Sequence, residues 1–367
     1  MPFEGLDRRR VTQRPLSERE NRAYIERDAV PIGAVPEDLS EQQRAIIRET
    51  AERMTAAREA GKPRMLAFGA HTIKNGLGPV LIHLIEEGWI THLATNGAGI
   101  IHDWEFAYQG ESSEHVQENM EQGTFGLWEE TGYFLNLALL VGAYEGLGYG
   151  ESIGAMVERE GLTIPDEATL REAVVSGLDG DTARSAAAAD LLGAVRAFEL
   201  APGALSIPHP FKRFGLQAAA FRLGVPFTGH PMIGHDILYL HPLNCCAAVG
   251  RAAERDFLTF AQGVRELDGG VYLSVGSAVM SPMIFEKALS MGQNLAFQDG
   301  AQIEDHFMVI VDLAKSHWDW SQGEPPEDNA DYYLRYNKTF SRMGGSMRYL
   351  CSDNRDFLLG LLQALES

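Results

Sequence analysis

The stretch that decides the fold runs from Arg64 to Glu105 and reads RMLAFGAHTIKNGLGPVLIHLIEEGWITHLATNGAGIIHDWE. Its first apolar run, Met65–Phe68, breaks at Gly69, and leucine and isoleucine then recur at helical spacing until a further glycine stops them. A second apolar run, Trp89–Thr95, ends in the small-residue loop Asn96–Gly99. The pattern predicts a strand, a helix and a second strand, with a loop at the carboxyl end of each strand, where open parallel sheets bind ligands.

The composition of these loops predicts a nucleotide site. Glycine lets the backbone approach a phosphate closely, and the N-terminus of the next helix favours an anion. The run Gly97-Ala98-Gly99 is shorter than the full G-x-G-x-x-G fingerprint of dinucleotide-binding folds. Glycines that only make tight turns are therefore the alternative interpretation.

Composition and charge narrow the class of protein. The chain has 367 residues, is 45% hydrophobic and carries a formal net charge of −20, which argues against binding to nucleic acid or an anionic membrane. The charge is compatible with a cationic substrate and equally with solubility alone. Cys245 and Cys246 are adjacent and Cys351 is remote, so we expect no disulfide framework and a cytoplasmic protein. No apolar run approaches the roughly 18 residues of a membrane span.

The rest of the chain predicts an α/β protein. Residues 1 to about 38 are polar and rich in proline, and we interpret them as an N-terminal arm on a neighbour or on the protein's own surface. Ser40–Gln43 is a capping-box pattern that opens a helix to about Ala60. Alternating strands and helices over 39–367 predict one domain with a doubly wound, mostly parallel, Rossmann-like sheet and an additional helical layer at about 125–200. We expect further strands at 225–230, 270–275, 308–313 and 347–351, and none within 151–200.

Polar residues follow the two strands of the opening stretch. His71 and Lys74 come after the first strand, where a lysine can neutralise a phosphate or simply lie on a solvated helix start. Asn96, His102 and Asp103 follow the second strand. Asp103 is the best candidate to hold a ribose hydroxyl or a substrate amine, and a cap of the helix that follows it is its structural alternative.

A histidine-rich run follows later in the chain. His230, His235 and Asp236 predict pocket hydrogen-bond partners or a general base, because an imidazole titrates near neutral pH. A zinc or iron site is the alternative, although no known ligand spacing is present. We interpret His241 as a core or turn histidine.

Three further candidates lie towards the C-terminus. Gly276 and Ser277 end a predicted strand and suit a second nucleotide contact. The acidic pair Glu304 and Asp305 suits a positively charged substrate group. Lys338 stands between aromatic residues, where burial lowers the pKa of a lysine towards that of an amine nucleophile; a surface lysine lying over the rings is the alternative.

The chain resembles the deoxyhypusine-synthase-like group. The similarity is best over 65–105, including the T-N-G-A-G loop before Asp103, and continues more weakly through VPFTGHPMIGHDILYLH, VYLSVGSAV and Cys351–Leu362. Enzymes of this group have a doubly wound NAD-binding sheet and are usually homotetramers with sites shared between subunits. In them NAD oxidises spermidine, a lysine takes the aminobutyl group as an imine, and a lysine of a target protein receives it.

The resemblance implies a set of residues around NAD: His71, Thr95, Asn96, Gly97, Ala98, Gly99, Asp103, Asp236, Gly276, Ser277 and Asp353. The chain also departs from the group. Ile101 and His102 replace two acidic residues, Gly224 replaces a functional histidine, and Lys338 needs a short gap to align with the catalytic lysine.

Together these observations predict an NAD-dependent enzyme, of transferase type by the resemblance. It would act on a small amine or amino-acid-like substrate by oxidising a C–N bond to an imine, followed by transfer, cyclisation or hydrolysis. We expect a homotetramer or homodimer. The predicted catalytic residues are Lys338, His235, His71 and Asp236, and the predicted substrate-binding residues are Lys74, His102, His230, Glu304 and Asp305. The alternatives are a metal-dependent hydrolase or lyase using His230, His235 and Asp236, and a non-catalytic nucleotide-binding scaffold.

Overall fold

The computed structural model describes residues 3–367, and these divide into two compact units. The unit called here the helical unit contains the chain up to Arg27, Ile100–Phe221 and Pro231–Arg255. The sheet unit contains Asp28–Gly99, Arg222–His230 and Asp256–Ser367. The single domain expected from residue 39 stays a prediction, because a division by contacts does not decide which parts fold together.

The strands are short, and most helices are longer. The strands are β1 Asn21–Tyr24, β2 Arg64–Phe68, β3 His92–Asn96, β4 Glu111–Glu114, β5 Gly161–Ile164, β6 Gly203–Ser206, β7 Phe227–His230, β8 Val271–Val275, β9 Phe307–Asp312 and β10 Ser346–Cys351. The helices are α1 Ile25–Asp28, α2 Glu41–Glu59, α3 Ala70–Lys74, α4 Gly78–Glu86, α5 Gly97–Gln109, α6 Val116–Gln122, α7 Glu129–Glu145, α8 Tyr149–Arg159, α9 Glu167–Gly177, α10 Thr182–Ala197, α11 Leu216–Leu223, α12 Cys246–Arg265, α13 Met280–Gln298, α14 Arg335–Phe340 and α15 Asn354–Leu365.

The sheet unit is built on a six-stranded parallel sheet with the order β10-β9-β8-β2-β3-β7. All five residues of β2 and all five of β8 are buried, as expected for strands covered on both faces. Tyr272, Phe285 and Phe340 pack together in the core beside the sheet. The prediction of a doubly wound, mostly parallel α/β fold is confirmed.

Side chains cap the first turns of two helices of this unit. Ser40 caps α2: its Oγ accepts from the Gln43 amide at 3.3 Å, and the Ser40 amide donates to Gln43 Oε1 at 2.6 Å. The capping box at the start of α2 is therefore confirmed. Asp353 caps α15, because its Oδ1 accepts from the Arg355 amide at 2.8 Å.

The helical unit contains strands that the sequence did not signal. β5 and β6 pair antiparallel, and β5 interrupts the region where no strand was expected, so that prediction was wrong. Glu160 has a left-handed φ of 52°, which ends α8 and turns the chain into β5. A strand of four residues is too short for alternation to reveal.

Part of the N-terminal arm packs on the helical unit. The Arg8 guanidinium donates to the carbonyl oxygens of Tyr239 at 2.8 Å and Asn244 at 3.0 Å, and β1 pairs antiparallel with β4. This part of the arm lies on the protein's own surface, one of the two arrangements expected. Within residues 3–367 no helix combines the length and the apolar character that crossing a membrane requires.

Candidate nucleotide-binding site

The candidate site lies where the strand order of the sheet unit reverses. Counted along the chain and read from β7, the six strands follow the order 3-2-1-4-5-6, with β2 as the first and β8 as the fourth. The chain winds outward from β2 through β3 to β7, and then from β8 through β9 to β10. Open α/β sheets bind ligands outside the carboxyl ends of the strands at such a reversal, which here lies between β2 and β8.

Two glycines stand at this reversal, one after each central strand. A Cβ on Gly69 would overlap the carbonyl oxygen of Gly276, so the two loops touch through their backbones. The Gly69 amide donates to Val275 O at 3.0 Å, and the Gly276 amide donates to Val311 O at 2.9 Å. Gly276 also has φ +60°, a conformation that favours glycine. Contacts within the protein therefore explain both glycines without a ligand.

Asn354 ties three of the strand-end loops together and was missed by the sequence reasoning. Its Nδ2 donates to Thr72 Oγ1 at 3.1 Å and lies 2.6 Å from where a Cβ of Gly276 would stand. Ser277 turns inward, and its Oγ accepts from the Ser281 amide at 3.1 Å. The position of Asn354 just after a predicted strand was the one signal that pointed to it.

The loop after β3 is the start of helix α5, whereas we had expected a longer loop over Asn96–Gly99. The Asn96 Oδ1 accepts from the Gly99 amide at 2.9 Å, so this side chain caps the helix. Thr95 is buried, and its Oγ1 donates to Phe68 O at 2.8 Å. Gly97 and Ala98 occupy the first turn, where amides lack partners within the helix and an anion is favoured.

A cavity of about 460 Å³ lies at the same edge of the sheet unit. Lys74, Asn75, Asp353 and Arg355 line it together with three further acidic residues, Asp28, Glu37 and Asp356. Its lining thus holds two cationic and four acidic side chains. The cavity brings together Lys74 and Asp353, which the sequence analysis had proposed for substrate and cofactor. His71 lies in α3 and is exposed.

Lys338 lies between an acidic and an aromatic side chain, and its pKa is raised from its usual range and not lowered. Its Nζ lies 3.1 Å from Glu324 Oε1 and 3.1 Å from the centre of the Tyr332 ring. Burial acts to lower the pKa of Lys338, but its contacts with Tyr332 and Glu324 outweigh that effect and raise the pKa. These contacts agree with the alternative interpretation, a lysine that lies over an aromatic ring, and the catalytic role of Lys338 stays a prediction.

The residues of the histidine-rich run lie in both units and differ in their burial. In the sheet unit His230 is buried, its Nε2 lies 3.0 Å from Thr228 Oγ1, and burial together with His92 lowers the pKa of His230 to about 3. In the helical unit His235 is exposed, and burial raises the pKa of its neighbour Asp236 to about 6. No group of three or more histidine, cysteine or acidic side chains suited to a metal occurs in the described part of the chain, 3–367.

Two further predicted residues of the helical unit are held by neighbours within it. Asp103 is buried and caps α11, because its carboxylate accepts from the amides of Leu216 at 2.8 Å and Gln217 at 3.0 Å. The Gln217 side chain donates to the same carboxylate at 2.9 Å. His102 contacts Ser112, with 2.7 Å between Nδ1 and Oγ. The helix-capping alternative for Asp103 thus describes its contacts, although the capped helix is a distant one.

The acidic pair lies at the other edge of the sheet. Glu304 and Asp305 precede β9, and their amides donate to Asp268 Oδ1 at 3.0 and 2.8 Å. In a parallel sheet the residues before a strand lie at the edge opposite to the carboxyl ends. These two residues therefore do not join Gly276 and Asn96, and we leave them out of the proposed site.

The chain matches no protein-family model, and no curated protein matches it. Among solved structures, the ternary complex of AgrE with ornithine and NAD⁺ matches with a TM-score of 0.43 and 16% identity, over 89% of this chain and 34% of AgrE. ArgZ, an arginine dihydrolase of the ornithine-ammonia cycle in cyanobacteria, gives 0.41 and 14%, over 88% and 33%. A conserved putative LOR/SDH protein from Methanococcus maripaludis gives 0.45 and 16%, over 91% and 73%.

The fold and the site define a Rossmann-like, doubly wound α/β protein. The chain spans about a third of the length of AgrE and ArgZ. At 14–16% identity and TM-scores below 0.5 these matches transfer neither substrate nor cofactor, so the chemistry rests on the chain's own residues. The resemblance to deoxyhypusine synthases stays a prediction.

Proposed function

We propose that this protein is an NAD-dependent enzyme that oxidises a C–N bond of a small cationic amine or amino acid to an imine. Transfer, cyclisation or hydrolysis of the imine would complete the reaction. The observation that carries the proposal is the cavity of mixed charge at the carboxyl edge of a sheet with the strand order of dinucleotide-binding folds. The homo-oligomer expected from the sequence stays a prediction.

The residues at the strand ends fit a dinucleotide. The amides of Gly97 and Ala98 in the first turn of α5 would face its phosphates, because this end of a helix favours an anion. Asn96 ends the second strand of the sheet, the place from which dinucleotide-binding folds often contact a ribose. When bound, NAD⁺ supplies a hydride acceptor.

The cavity lining supports the substrate class. Lys74 or Arg355 would pair with the carboxylate of an amino acid, and Asp353 with its ammonium group. Four acidic side chains against two cations favour a ligand with more positive than negative charge. Basic amino acids and diamines meet this condition.

The chain's own groups supply orientation and proton transfer. The charged lining would fix the substrate by its two ends, which holds the reacting C–H bond in one position. His71 is an exposed imidazole in the helix that follows β2. Among the residues of the sheet unit, it is our candidate for the general acid or base. Lys338 is not needed for this step, since its amine is held protonated beside Glu324.

Binding of NAD⁺ to the purified full chain tests the proposal. We expect NAD⁺ to raise the melting temperature and to give a saturable heat in calorimetry. Ala98→Glu places a negative charge in the first turn of α5 and should weaken NAD⁺ binding at least tenfold, because it repels phosphate. Thr182→Glu puts the same charge at an exposed position in the first turn of helix α10 and should leave binding unchanged.

Turnover is tested by NADH absorbance with L-ornithine, L-arginine, L-lysine and spermidine. Formation of NADH with one of them, and none with L-glutamate, supports the substrate class. Absence of NAD⁺ binding at millimolar concentration sinks the proposal. Tight binding without turnover of any amine would favour the nucleotide-binding scaffold instead.

A further inference from the structure

We propose that His102 in the helical unit is a proton acceptor, with Ser112 and Glu105 as the positioning residues that hold its proton on Nδ1 and leave Nε2 free. From the sequence we expected His102 only to contact substrate. The assignment concerns a chemical role for its ring. It rests on contacts within the helical unit and does not depend on NAD binding.

Three side chains form a hydrogen-bonded series. His102 Nδ1 lies 2.7 Å from Ser112 Oγ, and Ser112 Oγ donates to Glu105 Oε2 at 2.6 Å. His102 Nδ1 and Glu105 Oε2 are 3.8 Å apart, so the serine hydroxyl stands between imidazole and carboxylate. His102 and Glu105 lie one turn apart on α5, and Ser112 comes from β4.

This series fixes the tautomer of the imidazole. A serine hydroxyl has one proton, and here that proton is donated to Glu105. Ser112 Oγ can therefore only accept from His102, so the proton of the neutral ring resides on Nδ1. The lone pair is then on Nε2, the atom from which a histidine takes a proton as a general base.

Glu105 is kept ionised, so it can only accept the hydrogen bond from the Ser112 hydroxyl. Its side chain is 1% exposed, and Arg19 Nη1 lies 2.6 Å from Oε1. Thr131 Oγ1 also donates to Oε1, at 3.2 Å. Burial acts to raise the pKa of Glu105, but the charge of Arg19 and the hydrogen bonds outweigh it and hold that pKa well below its usual range. A carboxylate in this state only accepts hydrogen bonds.

The ring is accessible on its free side. The His102 side chain is 19% exposed, and Nε2 has no hydrogen-bond partner among residues 3–367. Charged groups in contact with the series include Glu105 on α5 and Arg19 in the N-terminal segment, and Glu111 and Glu114 on β4 act on Arg19. Three carboxylates thus accompany one guanidinium, a balance that favours a cationic partner.

The chemical class that fits is a protonated amine. In the proposed step an N–H bond of the ammonium group breaks, its electron pair stays on the nitrogen, and the proton passes to Nε2. The ring becomes an imidazolium ion, whose Nδ1–H remains bonded to Ser112 and whose charge faces Glu105. The amine leaves the step neutral, and no oxidant or reductant is required.

Long-range ¹H–¹⁵N NMR of the full chain labelled with ¹⁵N-histidine tests the tautomer. We expect His102, assigned by its loss in His102→Gln, to carry its proton on Nδ1 at pH 8. Ser112→Ala should remove this preference, and Ser112→Thr, which keeps a hydroxyl, should restore it. A wild-type ring protonated on Nε2 would overturn the proposal, whether or not the protein binds NAD⁺.

Reaction with diethyl pyrocarbonate tests the free nitrogen independently of folding of the variants. Mass spectrometry should find His102 acylated in the native protein. The buried His230 should stay unmodified in the same sample, which shows that the protein remained folded. If His102 reacted at least tenfold more slowly than the exposed His235, Nε2 would not be free and the proposal would fail.

Discussion

Arg19 and Glu105 form an ion pair in the interior of the helical unit, with 2.6 Å between Nη1 and Oε1 and side-chain exposures of 2% and 1%. Removal of one partner leaves the other charge buried without compensation, which typically costs about 3–5 kcal/mol. Arg19→Met keeps much of the side-chain volume and removes the charge. We therefore expect it to lower the free energy of unfolding by an amount in this range.

Urea unfolding followed by circular dichroism measures this effect. The matched control is Arg9→Met, because Arg9 pairs with Asp7 at 2.9 Å while its own side chain is 83% exposed. Solvent screens an exposed ion pair, so its contribution to stability is small and the control should stay close to wild type. Equal losses in the two variants would show that burial of the Arg19 pair has no energetic consequence.

The stability of the sheet unit should fall in acid because of two buried histidines. His92 Nε2 and His230 Nε2 lie 3.1 and 3.0 Å from Thr228 Oγ1, and burial lowers the pKa of each ring to about 3 from an ordinary value of 6.5. Between these two pKa values the unfolded chain binds more protons than the folded one. Stability should therefore be complete above pH 6.5 and fall with pH below it, by up to about 1.4 kcal/mol per pH unit for each ring.

Urea unfolding at pH 7.5 and pH 5 checks this prediction. His230→Gln removes one of the two titrating rings, so it should lose less stability on acidification than wild type does. His235→Gln changes an exposed ring and should retain the wild-type dependence. Identical pH dependence in all three proteins would contradict the assignment to buried rings.

The contact of Gly69 with Gly276 leaves no room for a side chain. Gly69→Ala would push a methyl group into the Gly276 carbonyl oxygen, and overpacking of this kind typically costs about 1–3 kcal/mol. We also expect weaker NAD⁺ binding, because the loops at the strand reversal must move. Gly180→Ala is the control, since a Cβ there meets no atom within 4 Å. Thermal unfolding and calorimetry with NAD⁺ measure both effects.

The sequence predicted features whose causes are local. β2 and β8 were visible because each is a short, mainly apolar run closed by a glycine, and α2 because its capping box occupies four adjacent residues. The alternation of such strands and helices along the sequence was sufficient to predict a doubly wound fold. β5 was missed because its four residues gain their pairing from β6, far along the chain.

The parts of the site that escaped prediction depend on distant partners. Asn354 and Thr72 are 282 residues apart in the chain, and Asp103 and Gln217 are 114 apart. No spacing rule connects residues at such separations. The pKa of Lys338 likewise depends on where a loop places Glu324. Residue type at a strand end therefore suggested candidates, while their hydrogen-bond partners required the fold.

Lys338 provides a test of how an imine would be formed. Its protonated amine beside Glu324 is a poor nucleophile, so we expect no covalent adduct at this residue when sodium borohydride is added during turnover of an amine with NAD⁺. Lys338→Arg keeps a cation next to Glu324 and should retain turnover within about twofold, whereas an imine-forming lysine would lose at least about 10². An adduct on Lys338, found by mass spectrometry, would restore the mechanism expected from the resemblance.

The charged cavity predicts different substrate dependence for substitutions of its cationic and its acidic lining residues. Lys74→Met and Asp353→Asn each change one charge in the same cavity. If Lys74 binds the carboxylate of an amino acid, Lys74→Met should raise the KM for L-ornithine about tenfold and leave the KM for a diamine unchanged, since a diamine has no carboxylate. Asp353→Asn should raise both KM values, because both ligands present an ammonium group.

Glu327→Gln changes one acidic group in an exposed loop and should alter neither value. Steady-state kinetics with L-ornithine and with a diamine separates these outcomes. If Lys74→Met changed the two KM values equally, the lysine would not bind the carboxylate and would only contribute to the electrostatic potential of the cavity.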